Sequence, residues 1–237
     1  MNTLHVSITT NDLIFILLLG FLGFALSMLL TPIYTTLAYK KQWWKRQRTE
    51  AWSGGQATVY QKLHAAKHKR NIPTMAGLIF VVAITLVTLS LNLVREETWL
   101  PLAGLFGAAI IGLIDDIMNI RSTGGVAGMG ARAKFLLYSL IVAIGGWWFY
   151  SKLGVTSIYI PGFEHLHIGI FIIALFWFVV MATANSVNIT DGLDGLAGGL
   201  LVSSFTAYAI ICIIEHKLAL AGFCFTVIGA QIGRAHV

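Results

Sequence analysis

Residues 99–120 read WLPLAGLFGAAIIGLIDDIMNI, a long uncharged apolar run that closes on two adjacent aspartates. A helix of about 20 such residues matches the hydrocarbon thickness of a bilayer, so this stretch reads as a transmembrane span ending in a polar head. The rest of the chain repeats the pattern. Hydrophobic residues make up 57% of the 237 residues and charged residues only 11%, with a mean hydropathy of +0.79. A soluble domain of this size needs far more polar surface, which excludes that class.

Seven apolar runs qualify as spans, near 13–38, 73–93, 99–117, 133–150, 168–187, 195–214 and 218–234. The expected fold is therefore all-α: a polytopic transmembrane helix bundle. The N-terminus lacks the basic start and cleavage site of a signal peptide, so its first run is expected to be retained. The connection 39–72 carries Lys40, Lys41, Lys45, Arg46, Arg48, Lys62, Lys67, Lys69 and Arg70, and Arg121, Arg132, Lys134 and Arg234 fall on the same side. Only Arg95, Lys152 and Lys217 fall on the other. The positive-inside rule then puts the N-terminus outside and makes 39–72 a basic cytoplasmic loop. It also places 151–167, with Gly154, Pro161 and Gly162 between β-branched residues, as an external hairpin-like loop. The net charge of +6 is explained by this orientation and by anionic lipid. No nucleic-acid recognition module is present in the sequence.

Trp43 and Trp44, beside lysines, read as an interface belt. Cys212 and Cys224 lie inside apolar runs and read as buried thiols. His64 and His68 read as part of a solvated basic loop, since no third ligand completes a zinc site.

Four of the five aspartates fall in two clusters, Asp115-Asp116 and Asp191/Asp194, both at the cytoplasmic ends of spans. Acids at membrane depth are functional candidates by default. Adjacent helical residues point about 100° apart, so the two carboxylates of Asp115-Asp116 cannot face one neighbour on a regular helix. At a helix end one can turn to a cation and the other to a substrate proton. Mg²⁺ suits such a place, because it keeps several waters and takes one or two carboxylates plus substrate phosphates.

The stretch 185–199, NSVNITDGLDGLAGG, pairs Asn185 with Asn188 and Asp191 with Asp194 at helical spacing. Asp191 is a candidate N-cap for the following span, leaving backbone N–H groups for an anion. The approach LHAAKHKRNIPTMAG brings Lys67, His68, Lys69 and Arg70 before Pro73, which suits the first turn of the second span. Its cations, with Arg132 and Lys134 at the start of the fourth span, can clamp a diphosphate or a lipid phosphate. A topogenic basic loop and a polar turn with ordinary small-residue packing are the bland alternatives.

PTMAG, GLIDD and NSVNITDGLDGLAGG, in this order on one membrane face, resemble the polyprenyl-phosphate N-acetylhexosamine-1-phosphate transferases. Within that family the resemblance is strongest to the bacterial phospho-N-acetylmuramoyl-pentapeptide transferases, whose typical strings are PTMGG and NAVNLTDGLDGLA. The similarity runs from about residue 64 to 200; Ala76 stands where the family usually has Gly. The resemblance implies a ten-helix, Mg²⁺-dependent enzyme of the bacterial cytoplasmic (inner) membrane with its active site on the cytoplasmic face. The activity it implies is transfer of phospho-N-acetylmuramoyl-pentapeptide from its UDP carrier to undecaprenyl phosphate. That yields UMP and the first lipid intermediate of peptidoglycan.

A relative that uses UDP-N-acetylglucosamine is the alternative within the class, and an ion-coupled transporter is the distant one. By motif position Asp115 and Asp116 look like the catalytic acids, and Asn188, with Asp115 and Asp116, like the metal set. Lys69, Thr74, Lys134, Asn185, Asp191, Gly192, Leu193 and Asp194 look like the substrate pocket. The lipid bilayer and the two substrates are the implied partners, and a homodimer is left open. The family pattern continues for three more spans, so residues 1–237 are expected to be a single transmembrane transferase domain, C-terminally incomplete and inactive alone. About seven of ten spans would be present, ending in the polar QIGRAHV.

Overall fold

The computed structural model describes residues 8–44, 73–121, 128–160, 162, 164–190 and 195–234. They form seven helices, α1 (Thr10–Lys40), α2 (Gly77–Leu91), α3 (Trp99–Arg121), α4 (Ala131–Ser151), α5 (Phe171–Thr190), α6 (Leu196–Ile214) and α7 (Leu218–Gly233). A two-stranded antiparallel hairpin, β1 (Ser157–Ile160) and β2 (Glu164–His167), joins α4 to α5. The seven apolar runs are thus seven helices, and the chain is a multi-pass membrane protein. Five of the helices are long and apolar enough to cross a bilayer, while α2 and α7 have 15 and 16 residues. At 1.5 Å per residue these two reach about 22–24 Å, short of the ~30 Å hydrocarbon core.

The second helix starts later than its apolar run. Pro73 is not in its first turn; it is extended backbone paired with Trp44 in an isolated bridge. Thr74 N–H donates to the Trp43 carbonyl (2.7 Å). Met75 has φ +68°, a left-handed conformation that side chains rarely adopt, and the chain turns there into α2.

Small residues decide which helices meet. In lipid no hydrophobic force distinguishes one apolar neighbour from another, so close backbone approach becomes the main discriminator. α7 presents Ala221, Gly222, Thr226, Gly229 and Ala230, all buried. It packs on α1, α2 and α6. A Cβ at Gly229 would overlap the Gly20 carbonyl of α1, and one at Gly23 would lie 2.6 Å from the Thr226 carbonyl oxygen. The first and last helices of the chain are therefore backbone-to-backbone neighbours. Gly107 of α3 lies against Ile141 of α4, and Gly146 of α4 against Ile173 of α5. The outer faces carry Phe21, Leu29, Leu136 and Phe178, each more than 60% exposed, as a lipid-facing surface must.

At one end of the bundle the α2–α3 turn is bolted to α7. Asn92 Nδ2 donates to the Ala219 carbonyl (2.8 Å), and Leu220 N–H donates to Glu97 Oε2 (2.9 Å). Thr98 Oγ1 donates to the Asn92 carbonyl (2.9 Å) and accepts from Val94 N–H (2.8 Å). The polar motifs gather at the opposite end.

Candidate active site

Among the described residues, that opposite end carries a cleft on each flank of α3. The larger, about 1120 Å³, opens between α3, α4 and α5 and is lined by Asp115, Met129, Lys134, Tyr138, Asn185 and Asn188 among others. The smaller, about 450 Å³, lies between the 73–77 turn, α2 and α3, and its lining includes Thr74, Met75 and Asp116. Gly112, three residues before Asp115, borders both.

Asp115 and Asp116 do not sit at a helix end. α3 runs on to Arg121, so both carboxylates project from regular helix. The ~100° between neighbours then sends them to different flanks. Asp115 faces the larger cleft, 14% exposed, and is held from three directions. Lys134 Nζ donates to Oδ2 (2.7 Å), Met129 N–H donates to Oδ1 (2.7 Å) and Asn119 Nδ2 donates to Oδ2 (3.3 Å). The Met129 amide comes from the turn just ahead of Gly130, the N-cap of α4, where free N–H groups and the helix dipole favour an anion. Lys134, one turn into α4, reaches back across the cleft mouth and remains 37% exposed.

Across the same cleft, α5 brings Asn185 and Asn188 to the wall, both exposed. Asn185 Nδ2 donates back to the Met181 carbonyl (2.8 Å), which leaves its amide oxygen directed outward as an acceptor. Below the cleft, Trp177 Nε1 donates to Ser139 Oγ (2.6 Å) and stacks edge-on against Phe135 at 6.1 Å, setting α4 against α5. In the smaller cleft Thr74 is tied by its own backbone. Its carbonyl accepts a hydrogen bond from Tyr34 OH of α1, and its N–H is held by Trp43. Tyr34, Trp43, Ile79 and Met75 pack together around this corner.

Of the site residues expected from sequence, Asp115, Lys134, Asn185 and Asn188 thus share one cleft, while Asp116 and Thr74 share the other. Lys69, Asp191, Gly192, Leu193 and Asp194 lie outside the described residues, as does most of the 39–72 loop. The expected N-cap role of Asp191 is corrected: α6 begins after Gly195, whose φ of +83° makes it the cap, with no side-chain cap bond. Of the expected metal set, Asp115 and Asn188 line the larger cleft and Asp116 the smaller, and both Asp115 oxygens accept N–H donors from Met129 and Lys134. No group of three or more His, Cys, Asp or Glu side chains suited to a metal ion occurs among the described residues. Asn119 and the Gly128–Met129 turn were not singled out from sequence. Asn119 was visible as the residue four positions after Asp115, but a backbone donor has no sequence signature.

A family model described as glycosyl transferase family 4 matches residues 98–235, which cover α3 to α7 and the described lining of the larger cleft. The chain belongs to that family. Among curated relatives, a phospho-N-acetylmuramoyl-pentapeptide-transferase of Clostridium botulinum is 33% identical over 90% of this chain and 62% of the relative. One of Chloroflexus aggregans is 31% identical over 94% of this chain and 60% of the relative. One of Desulfosudis oleivorans is 36% identical over 65% and 44% respectively. The chain spans about six-tenths of the length of the first two relatives.

Proposed function

We propose that the protein transfers phospho-N-acetylmuramoyl-pentapeptide from its UDP carrier to undecaprenyl phosphate at the cytoplasmic face of the membrane. The names of its relatives support the substrates. The observation that carries the reading is a pair of adjacent carboxylates on one helix, each addressing its own cleft, with Lys134 clamped beside the first and two asparagines facing it. In this reaction an oxygen of the lipid phosphate forms a bond to the sugar-bearing phosphorus, and the bond from that phosphorus to UMP breaks. Little covalent chemistry is asked of the protein, so positioning and charge neutralisation dominate. Lys134 supplies a cation toward the donor's diphosphate, and Asn185 and Asn188 supply amide groups to orient it. Asp116, on the other flank, is assigned to the acceptor phosphate, orienting it or taking its proton.

A magnesium requirement belongs to the same proposal. A divalent ion would arrive with the diphosphate donor and supply neutralisation of its charge, with Asn188 and the Asp115/Asp116 pair as the residues that would hold it.

The test is made in membranes carrying the protein expressed from its complete gene, with undecaprenyl phosphate and radiolabelled donors. Label should enter lipid from UDP-N-acetylmuramoyl-pentapeptide, stop with chelator and resume with Mg²⁺. Asp116→Asn should abolish turnover while nucleotide binding persists. Transfer from UDP-N-acetylglucosamine instead would assign the alternative donor, and normal turnover of Asp116→Asn would remove its role.

A further inference from the structure

Asp115 is enclosed on most of its sides. A carboxylate offers roughly four lone-pair positions. Here three are occupied by N–H donors, from Met129, Lys134 and Asn119. Asn119 is itself fixed: it is 4% exposed, and the same Nδ2 also donates to the Asp115 carbonyl oxygen (2.9 Å). One side chain therefore ties the backbone and the carboxylate of Asp115 together across a single helical turn. The remaining side is closed by Gly128. Its φ is +87°, and a Cβ there would lie 2.6 Å from Asn119 Nδ2 and 2.7 Å from Asp115 Oδ1, so the turn exists in this form only around a bare backbone.

Among the carboxylate's three donors, Lys134 is the one with a long, partly exposed side chain, and it faces the larger cleft. A flexible ammonium loses rotamer entropy when it is ordered at a site. Holding it beforehand against a fixed anion removes part of that cost before a ligand arrives.

We propose that Asn119 is a positioning residue: with the Gly128–Met129 turn it locks the Asp115 carboxylate, and through it holds the Lys134 ammonium ready at the mouth of the α3–α4–α5 cleft. Asp115 then serves this cleft as a fixed counter-ion that presents Lys134 to a phosphate-bearing ligand. The role of that ligand rests on the function proposed above; the lock itself does not.

The two are separable by labelling. The protein, expressed from its complete gene and held in lipid nanodiscs, is treated briefly with an acylating ester. Modification of Lys134 is then quantified by mass spectrometry against Lys40, Lys152 and Lys217. An ammonium clamped by a carboxylate must leave it to react, so Asp115→Asn should raise Lys134 labelling on the order of tenfold, the equivalent of one charge-assisted hydrogen bond. Asn119→Leu keeps the buried bulk but removes the donor, and should raise it several-fold with the reference lysines unchanged. A rise at all four lysines marks a disturbed fold, in which case Asn119→Ser, which is smaller and cannot reach the carboxylate, takes its place. Wild-type labelling of Lys134 in a folded Asn119 variant, or in Asp115→Asn, overturns the lock. Added UMP should shield Lys134 in the wild-type protein. Its failure to do so would count against the nucleotide reading of the cleft and leave the lock standing on the variants.

Discussion

Replacing Gly128 by alanine adds one methyl group to the tightest corner of the larger cleft. The new carbon would stand 2.7 Å from Asp115 Oδ1 and 2.6 Å from Asn119 Nδ2. Non-bonded contacts relax only near 3.5 Å, so one side must yield by roughly 0.8 Å. Neither neighbour is a flexible tip, because Asn119 is buried and Asp115 Oδ1 is already bonded to the Met129 amide at 2.7 Å. The left-handed backbone costs a side-chain-bearing residue about 1–2 kcal/mol, and weakening a hydrogen bond to a charged acceptor costs about 1.5–3 kcal/mol more. The sum, about 2.5–5 kcal/mol, falls on a local turn, so the place to read it is the Met129 amide. Hydrogen exchange followed by mass spectrometry should show that amide exchanging about 60- to 4000-fold faster in the variant, since each 1.4 kcal/mol of lost protection is a factor of ten. The Lys134 amide, bonded to the Gly130 carbonyl (3.1 Å) as part of α4, is the internal control and should not change. Unaltered protection at Met129 would refute the enclosure of Asp115 by this turn.

Other substitutions test the frame. Gly229→Val drives a branched side chain into the Gly20 carbonyl, so α1 and α7 must part. Overpacking of this kind costs about 1–3 kcal/mol or more, and a lowered unfolding midpoint by tryptophan fluorescence in detergent is the expected result. Gly104→Ala on α3, where nothing lies within 4 Å, should instead leave the midpoint unchanged or raise it, by up to about 1 kcal/mol of helix propensity. Thr98→Val keeps the shape of a fully buried side chain but strips a donor from the Asn92 carbonyl and an acceptor from the Val94 amide. It should destabilise by about 1–3 kcal/mol in the same assay, and an unchanged midpoint would mean that Thr98 does not hold the α2–α3 turn that presents Asn92 and Glu97 to α7.

Much of the architecture was legible before any coordinates. Apolar length alone separates the seven helices, because a backbone in lipid must satisfy its own hydrogen bonds and a helix is the local way to do so. Alternation of direction then requires GLIDD, ARAKF and NSVN to share one end. The divergence of Asp115 and Asp116 also follows from sequence, as a consequence of 3.6 residues per turn. Helix ends were less legible. Met75 turns the chain in a left-handed conformation just before α2, so Pro73, which on its own suits a first turn, pairs with Trp44 instead. Gly195, not Asp191, caps α6, because the cap depends on where the chain leaves the preceding turn and not on side-chain preference.

The sequence by itself determined a membrane bundle with its acids, amides and cations at one end. Tertiary structure alone decided that α1 meets α7, that Lys134 closes on Asp115, and that α3 divides the polar end into two clefts. Apolar composition is degenerate as to neighbours: any lipid-compatible face can pack on any other. The choice among them falls to the rotation of each helix and to the few places where two backbones come close enough to touch, and a linear pattern records neither.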